Sequence, residues 1–240
     1  MLAAFLWGAV GAAALLVGAL VAYVGTPSRR FIAVVMALGA GLLIGSVAFE
    51  LVDEAVKTAS VGLVGLLTLL GAATFTVGDW WLGRRGGGGR KDAGGAQAAG
   101  APLAIVFGSV LDGIPESFVL GLTVLQGNVS VALLAGVILS NFPEGLSSSS
   151  GLRAAGWTRS RVLWMWSAVV LVAAVSAALG YLLLDPVSGR TGALAQGFAA
   201  GALLAMVSNT LLPESYKEEG VATGWLVAIG FAISLMMSAI

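Results

Sequence analysis

The sequence contains neither cysteine nor histidine, and only 10% of its residues are charged. Without cysteine the chain can form no disulfide bond and offers no thiolate to a metal. Without histidine it lacks the commonest transition-metal ligand and the usual proton carrier near neutral pH. Any chemistry at a polar site is therefore left to carboxylates, amides and hydroxyls.

Long apolar runs make up most of the sequence. Apolar residues make up 58% of the 240 positions, and the mean hydropathy of +0.99 lies far above that of soluble domains. We predict an all-α polytopic membrane protein, a single domain over residues 1–240, with about eight helices of about 20 residues each. The number of membrane-spanning helices is seven if one segment is re-entrant. The predicted spans are Leu2–Val24, Phe31–Val56, Val61–Trp81, Pro102–Leu125, Val129–Leu152, Val162–Leu184, Ala193–Tyr216 and Val221–Ile240.

The net charge of zero hides an asymmetry between the loops. Ten basic residues follow helices 1, 3, 5 and 7, whereas only Lys57 and Arg190 lie on the other side. The positive-inside rule then predicts cytoplasmic odd loops and outside termini, in a plasma or inner membrane. The loop Gly83–Ala101 is rich in glycine and alanine and is predicted to be a flexible cytoplasmic linker. The expected surroundings are a lipid bilayer, with no nucleic acid as a partner.

Two segments nearly repeat each other inside apolar helices: Gly-Ser-Val-Leu-Asp-Gly-Ile-Pro-Glu at 108–116 and Gly-Val-Ile-Leu-Ser-Asn-Phe-Pro-Glu at 136–144. A carboxylate at such a depth costs about 2.5 kcal/mol or more, so it is rarely present without a function. Each proline also frees a backbone carbonyl one turn upstream. Asp112 and Glu116 share a face of helix 4, and Ser140 and Glu144 share a face of helix 5.

These helices contain no lysine or arginine, so bound cations or protons must balance their carboxylates. One alternative is that the prolines only kink the helices while protonated acids form hydrogen bonds across them. That alternative leaves unexplained why both helices carry the same motif.

A second internal similarity links helix 2 to helix 7. Residues 41–54 read Gly-Leu-Leu-Ile-Gly-Ser-Val-Ala-Phe-Glu-Leu-Val-Asp-Glu, and residues 201–214 read Gly-Ala-Leu-Leu-Ala-Met-Val-Ser-Asn-Thr-Leu-Leu-Pro-Glu. The two helices are predicted to run in opposite directions. Inverted repeats with broken helices that meet near the midplane are typical of secondary transporters.

The Pro-Glu motifs resemble the paired metal-binding motifs of the ZIP (Zrt-, Irt-like) family of divalent-metal transporters. That family typically has His-Asn-x-Pro-Glu in helix 4, where this chain has Asp112, Gly113 and the matching Glu116. Its helix 5 typically reads His/Gln-Glu/Asp-x-Pro-Glu/His. The corresponding residues here are Ser140, Asn141 and the matching Glu144.

The resemblance extends to the Leu-Leu-Pro-Glu sequence at 211–214 and to Glu50, which stands where the family often has an acid or histidine near the pore entrance. It implies a 3+2+3 arrangement of eight helices, an elevator-like motion and a homodimer. With the residue chemistry above, it predicts a metal site formed by Asp112, Glu116, Ser140, Asn141, Glu144 and Glu50.

We therefore expect a secondary transporter for a divalent metal cation, not an enzyme. Ligands that are all oxygen favour Mn²⁺, Mg²⁺ or Ca²⁺, while Zn²⁺, Fe²⁺ and Cd²⁺ stay open. Two alternatives remain: a ZIP-like sensor or scaffold that does not transport, and an intramembrane acid hydrolase. Asp112 and Glu116 suit the hydrolase poorly, because they lie on one helix and paired catalytic acids usually come from separate elements.

The absence of native cysteine makes the predicted topology easy to test. A single cysteine introduced by Gly95→Cys should resist an impermeant thiol reagent in sealed cells and react after permeabilisation, because its loop is predicted to be cytoplasmic. Labelling of intact cells at this position would contradict the orientation.

Overall fold

A computed structural model describes residues 1–25, 27–87, 102–125, 127, 129–184 and 189–239. Across these residues the chain is helical and contains no strand, which confirms the predicted fold class. Within this described part of the chain, seven helices are long and apolar enough to cross a membrane. An eighth apolar helix has 17 residues and a length of about 26 Å, close to the roughly 30 Å of a bilayer core. This is the architecture of a multi-pass membrane protein.

We number the helices α1 to α8 in chain order. Six are continuous, namely α1 (Leu2–Val24), α3 (Val61–Leu82), α4 (Pro102–Leu125), α5 (Val131–Ala154), α6 (Arg159–Leu184) and α8 (Ala222–Ser238). The other two contain a π-helical turn between two α-helical parts. In α2 these parts are Arg29–Ser46, the turn Val47–Val52 and Asp53–Thr58. In α7 they are Gly189–Met206, the turn Val207–Leu211 and Leu212–Glu219.

Several predicted boundaries are wrong by a few residues, because polar caps rather than hydropathy fix the helix ends. The α5 helix begins after Ser130, whose hydroxyl accepts a hydrogen bond from the Leu133 N–H at 3.0 Å. A π turn, Gly83–Gly87, continues α3 into the segment predicted to be a linker. Residues 88–101 of that linker lie outside the described part of the chain.

The eight helices pack as two groups of four. The first group contains α1, α4, α5 and α6, in which α1 packs along α5 and α6, and α6 also packs along α4. The second contains α2, α3, α7 and α8, in which α2 pairs with α8 and α3 pairs with α7. The main contact between the groups is α2 against α5, and α7 against α4 is a smaller one. Both Pro-Glu helices therefore belong to the first group.

The internal similarity predicted between helices 2 and 7 extends to their backbones. Each helix carries its π turn at the same distance after the aligned glycine, which is Gly41 in α2 and Gly201 in α7. A π turn is a rare departure from the α-helix, so its recurrence at one aligned position supports the repeat.

Glycines bring the paired helices into backbone contact. A Cβ atom added at Gly71 of α3 would overlap the Phe198 carbonyl oxygen, and one added at Gly201 of α7 would overlap the Thr68 carbonyl oxygen. The pairing of α2 with α8 follows the same pattern, with Gly41 against the Val227 carbonyl and Gly230 against the Leu38 carbonyl. Small residues at such positions let membrane helices approach closely.

Basic and aromatic side chains stack at one end of the bundle. The guanidinium groups of Arg84 and Arg85 lie 4.1 Å and 3.9 Å from the ring centres of Trp80 and Trp81 at the end of α3. Arg161, at the start of α6, lies 3.7 Å from the ring centre of Trp157. Tryptophan and arginine are common at the membrane–water interface, where the ring is half-buried in lipid and the charge is hydrated.

Two glycines of α3 give a matched test of this packing. Gly71→Ala should lower the free energy of unfolding by about 1–3 kcal/mol, because the new methyl group overlaps α7. Gly65→Ala has open space around it and should be neutral or stabilising by up to about 1 kcal/mol, since alanine is the better helix former. Thermal unfolding of both variants in detergent measures the difference. Equal stability would contradict the close approach of α3 and α7.

Candidate functional site

Three carboxylates are buried inside the first helix group. The side chains of Asp112, Glu116 and Glu144 each belong to residues with only 1% of their surface exposed. Pro115 and Pro143 lie inside α4 and α5, directly before the two glutamates, so both helices continue through the proline. The three acids thus lie within long apolar helices, as predicted.

Each of the two glutamates accepts a hydrogen bond from a serine of the other helix. The Ser140 hydroxyl of α5 donates to Glu116 Oε1 of α4 at 2.9 Å. In the reverse direction, the Ser109 hydroxyl of α4 donates to Glu144 Oε1 of α5. Each motif segment therefore contributes one carboxylate and one hydroxyl to the contact, although the two serines stand at different positions of the repeat.

Neighbouring helices hold this pair in place. The Asn141 side-chain amide donates to the Gly11 carbonyl of α1 at 3.3 Å, and the Ser176 hydroxyl of α6 donates to the Ile114 carbonyl of α4 at 3.1 Å. The second contact is to the residue directly before Pro115. Helices α1 and α6 thus tie down the proline-containing segments.

Five of the six predicted site residues lie along this pair of helices, and one lies elsewhere. Glu50 is in the π turn of α2, where its side chain lies beside Ser130, the residue that caps α5. Ser130 precedes Ser140 by ten residues, which is about 15 Å along a helix axis. Glu50 is therefore well separated from the carboxylates of α4 and α5, at the end of the bundle where its resemblance to a pore-entrance residue would put it.

The described residues contain no group of three aspartate or glutamate side chains close enough to hold a metal ion together. A cation bound between α4 and α5 in this conformation would therefore use two carboxylates at most, with hydroxyl, amide or water oxygens completing its ligands. Hydroxyl groups that now donate to the glutamates can also offer a lone pair to a cation, because a hydroxyl has one proton and two acceptor positions. The donor set consists of oxygen atoms, as the sequence requires.

Ser109 is the site residue that sequence reasoning missed. It lies three residues before Asp112 and seven before Glu116, so the helical period places all three on one face of α4. This helical spacing is the feature of the sequence from which Ser109 could have been added to the site.

The serines at 147–150 lie further along α5. Ser147, Ser148 and Ser149 are fully buried, and the indole N–H of Trp166 in α6 donates to the Ser149 hydroxyl at 2.8 Å. At Ser149 the small polar side chain thus serves the packing of α5 against α6.

No protein-family model and no curated protein sequence matches this chain. The interpretation of the site therefore rests on its geometry and chemistry.

Substitutions of two buried serines of α5 distinguish the effect of an inter-helix hydrogen bond from the effect of burial. The Ser140 hydroxyl lies 2.9 Å from Glu116 Oε1 and 3.0 Å from the Val137 carbonyl of its own helix. Ser140→Ala removes the contact to the buried carboxylate and should lower the free energy of unfolding by about 1.5–3 kcal/mol. Ser147 is equally buried, but its hydroxyl donates to the Glu144 backbone carbonyl of its own helix at 3.3 Å, so Ser147→Ala should cost less than about 1 kcal/mol. Thermal unfolding in detergent compares them. A smaller effect at Ser140 would contradict the proposed role of this contact.

Proposed function

We propose that this protein is a secondary transporter that moves a divalent metal cation across the membrane through the site on α4 and α5. The observation that carries the proposal is the reciprocal arrangement of two buried glutamates, each following a proline and each bonded to a serine of the facing helix. Intramembrane carboxylates of this kind usually mark the path of an ion or proton.

A cation is the simplest positive charge for these carboxylates. The sequence has no lysine or arginine between Lys91 and Arg153, a segment that contains α4 and all of α5 except its last two residues. The partners that bridge the two helices are neutral hydroxyls. Two carboxylates buried in a medium of low dielectric constant are costly as anions unless positive charge lies nearby. A divalent cation would neutralise both at once.

The donor atoms favour hard cations. Carboxylate, amide and hydroxyl oxygens suit Mn²⁺, Mg²⁺ and Ca²⁺, which take oxygen ligands. Zn²⁺ also binds carboxylates but prefers nitrogen and sulfur; Fe²⁺ and Cd²⁺ complete the set of cations worth testing. We therefore place Mn²⁺ first among them.

The division into two helix groups supports transport rather than a static metal site. Both motif helices lie in one group and meet the other through α2 and α7, the two helices interrupted by π turns. A shift of α1, α4, α5 and α6 against α2, α3, α7 and α8 would carry the site towards one membrane surface or the other, as alternating access requires. Our proposal includes an elevator-like motion, a homodimer and outside termini in a plasma or inner membrane, all of which rest on the resemblance and on loop charge.

Uptake by purified protein tests this function. In proteoliposomes, the double variant Glu116→Gln, Glu144→Gln should lose Mn²⁺ uptake, because glutamine keeps the shape and hydrogen bonds of glutamate but cannot carry its charge. Glu54→Gln is the matched control, since Glu54 is an exposed glutamate paired with Lys57 at the end of α2. Full uptake by the double variant at normal expression would overturn the proposed site.

Thermal unfolding with and without Mn²⁺ provides a second readout. Wild-type protein should gain stability from the metal at neutral pH and lose that gain as the pH falls, because protons then compete for the carboxylates. The double variant should show no gain at any pH. Metal binding without uptake would favour a sensor or scaffold instead, and cleavage of a peptide would favour a hydrolase.

A further inference from the structure

A cavity of about 360 Å³ lies between the two helix groups, lined by a face of α4 that does not include the carboxylates. Its walls come from α3, α4 and α7, with Phe75, Leu111, Pro115 and Phe198 among the lining residues. Thr74 brings the one polar side chain among the residues that line it, and its hydroxyl already donates to the Leu70 carbonyl of its own helix at 2.8 Å. Water needs two to four polar partners to stay in such a space, so the cavity favours an apolar occupant.

The mouth of the cavity is continuous with the lipid-facing surface of the protein. Ile114 and Phe198, which line it, are 44% and 39% exposed and belong to helices that span the membrane. Gly71 and Ile114 lie about 15 Å and 18 Å along their helices from Val61 and Pro102, where those helices begin. The opening is therefore near the middle of the bilayer, at the depth of hydrocarbon chains and not of headgroups.

We propose that this cavity binds the acyl chain of a membrane lipid, with the end of the chain inserted between α3, α4 and α7. A chain at this depth is already surrounded by hydrocarbon, so the gain comes from van der Waals contact with walls that would otherwise face empty space. The headgroup stays at the membrane surface.

The position of the cavity links its occupant to the carboxylates. Leu111 and Pro115 line it, and the next residue in each case is an acid of the site, Asp112 or Glu116. The cavity also bridges the groups, since α4 belongs to one and α3 and α7 to the other. If the groups move as proposed above, an inserted chain restrains that movement. This second step rests on the proposed function, whereas the binding of the chain does not.

Photo-crosslinking in nanodiscs tests the site directly. The probe is a phosphatidylcholine with a diazirine near the methyl end of one acyl chain, and labelled positions are read by mass spectrometry. Labels should concentrate on the cavity-lining parts of α4 and α7. The same lipid with its diazirine beside the glycerol should not label them, because that part of the lipid stays at the surface.

Two threonines of α3 provide matched variants. Thr74 and Thr76 are both exposed, but only Thr74 is among the residues lining the cavity. Thr74→Phe should lower labelling of the cavity walls roughly fivefold, because the ring takes the space in which the chain makes its contacts. Thr76→Phe should label like the wild type. Equal labelling of both variants, or labels spread evenly over the exposed faces of α3 and α8, would overturn the proposed site.

Mn²⁺ uptake by the same variants tests the link to transport. The initial rate should change in Thr74→Phe and stay at the wild-type value in Thr76→Phe. Unchanged uptake in both, with labelling lost in Thr74→Phe, would overturn the link and leave the lipid site standing. Absence of uptake by the wild type would overturn the proposed function, while the labelling experiment would still decide whether the cavity binds a chain.

Discussion

The hydrogen bonds between Ser109 and Glu144 and between Ser140 and Glu116 require α4 and α5 to keep one fixed register within the membrane. A carboxylate surrounded by hydrocarbon must keep its donors, since water cannot replace them there. Because each donor belongs to the opposite helix, a shift of one helix along the other would break both bonds together. The packing of the first helix group keeps α4 and α5 in that register.

Close backbone packing provides the support. A Cβ atom at Gly145, the residue after Glu144, would overlap the Leu15 carbonyl of α1, and one at Gly121 would overlap the Ala177 carbonyl of α6. Helices that touch through their backbones slide less freely than helices that touch through flexible side chains. The carboxylates are thus held within four closely packed helices. The glycine content of the chain, 35 of 240 residues, fits this need.

Hydropathy was sufficient to predict the helices, and the repeated Pro-Glu motif was sufficient to predict two glutamates within them. Sequence spacing did not identify Ser109 as the partner of Glu144, because that contact depends on how α4 and α5 face each other. Nor did it separate Glu50 from the other predicted ligands, since the distance between them follows from the packing of α2 on α5. Helix ends were also missed where caps such as Ser130 act, because a hydroxyl–backbone bond leaves little trace in an average over apolar residues.

The π turn in α2 has a consequence for how one helix can serve two sets of neighbours. Such a turn holds one residue more than an α-helical turn, so the helix beyond it is rotated by roughly 100°. Before the turn, Gly41 faces α8. After it, Ala55 packs with Val64 of α3 and Ala193 of α7. A single additional residue thus lets α2 change partners along its length without a break in the chain.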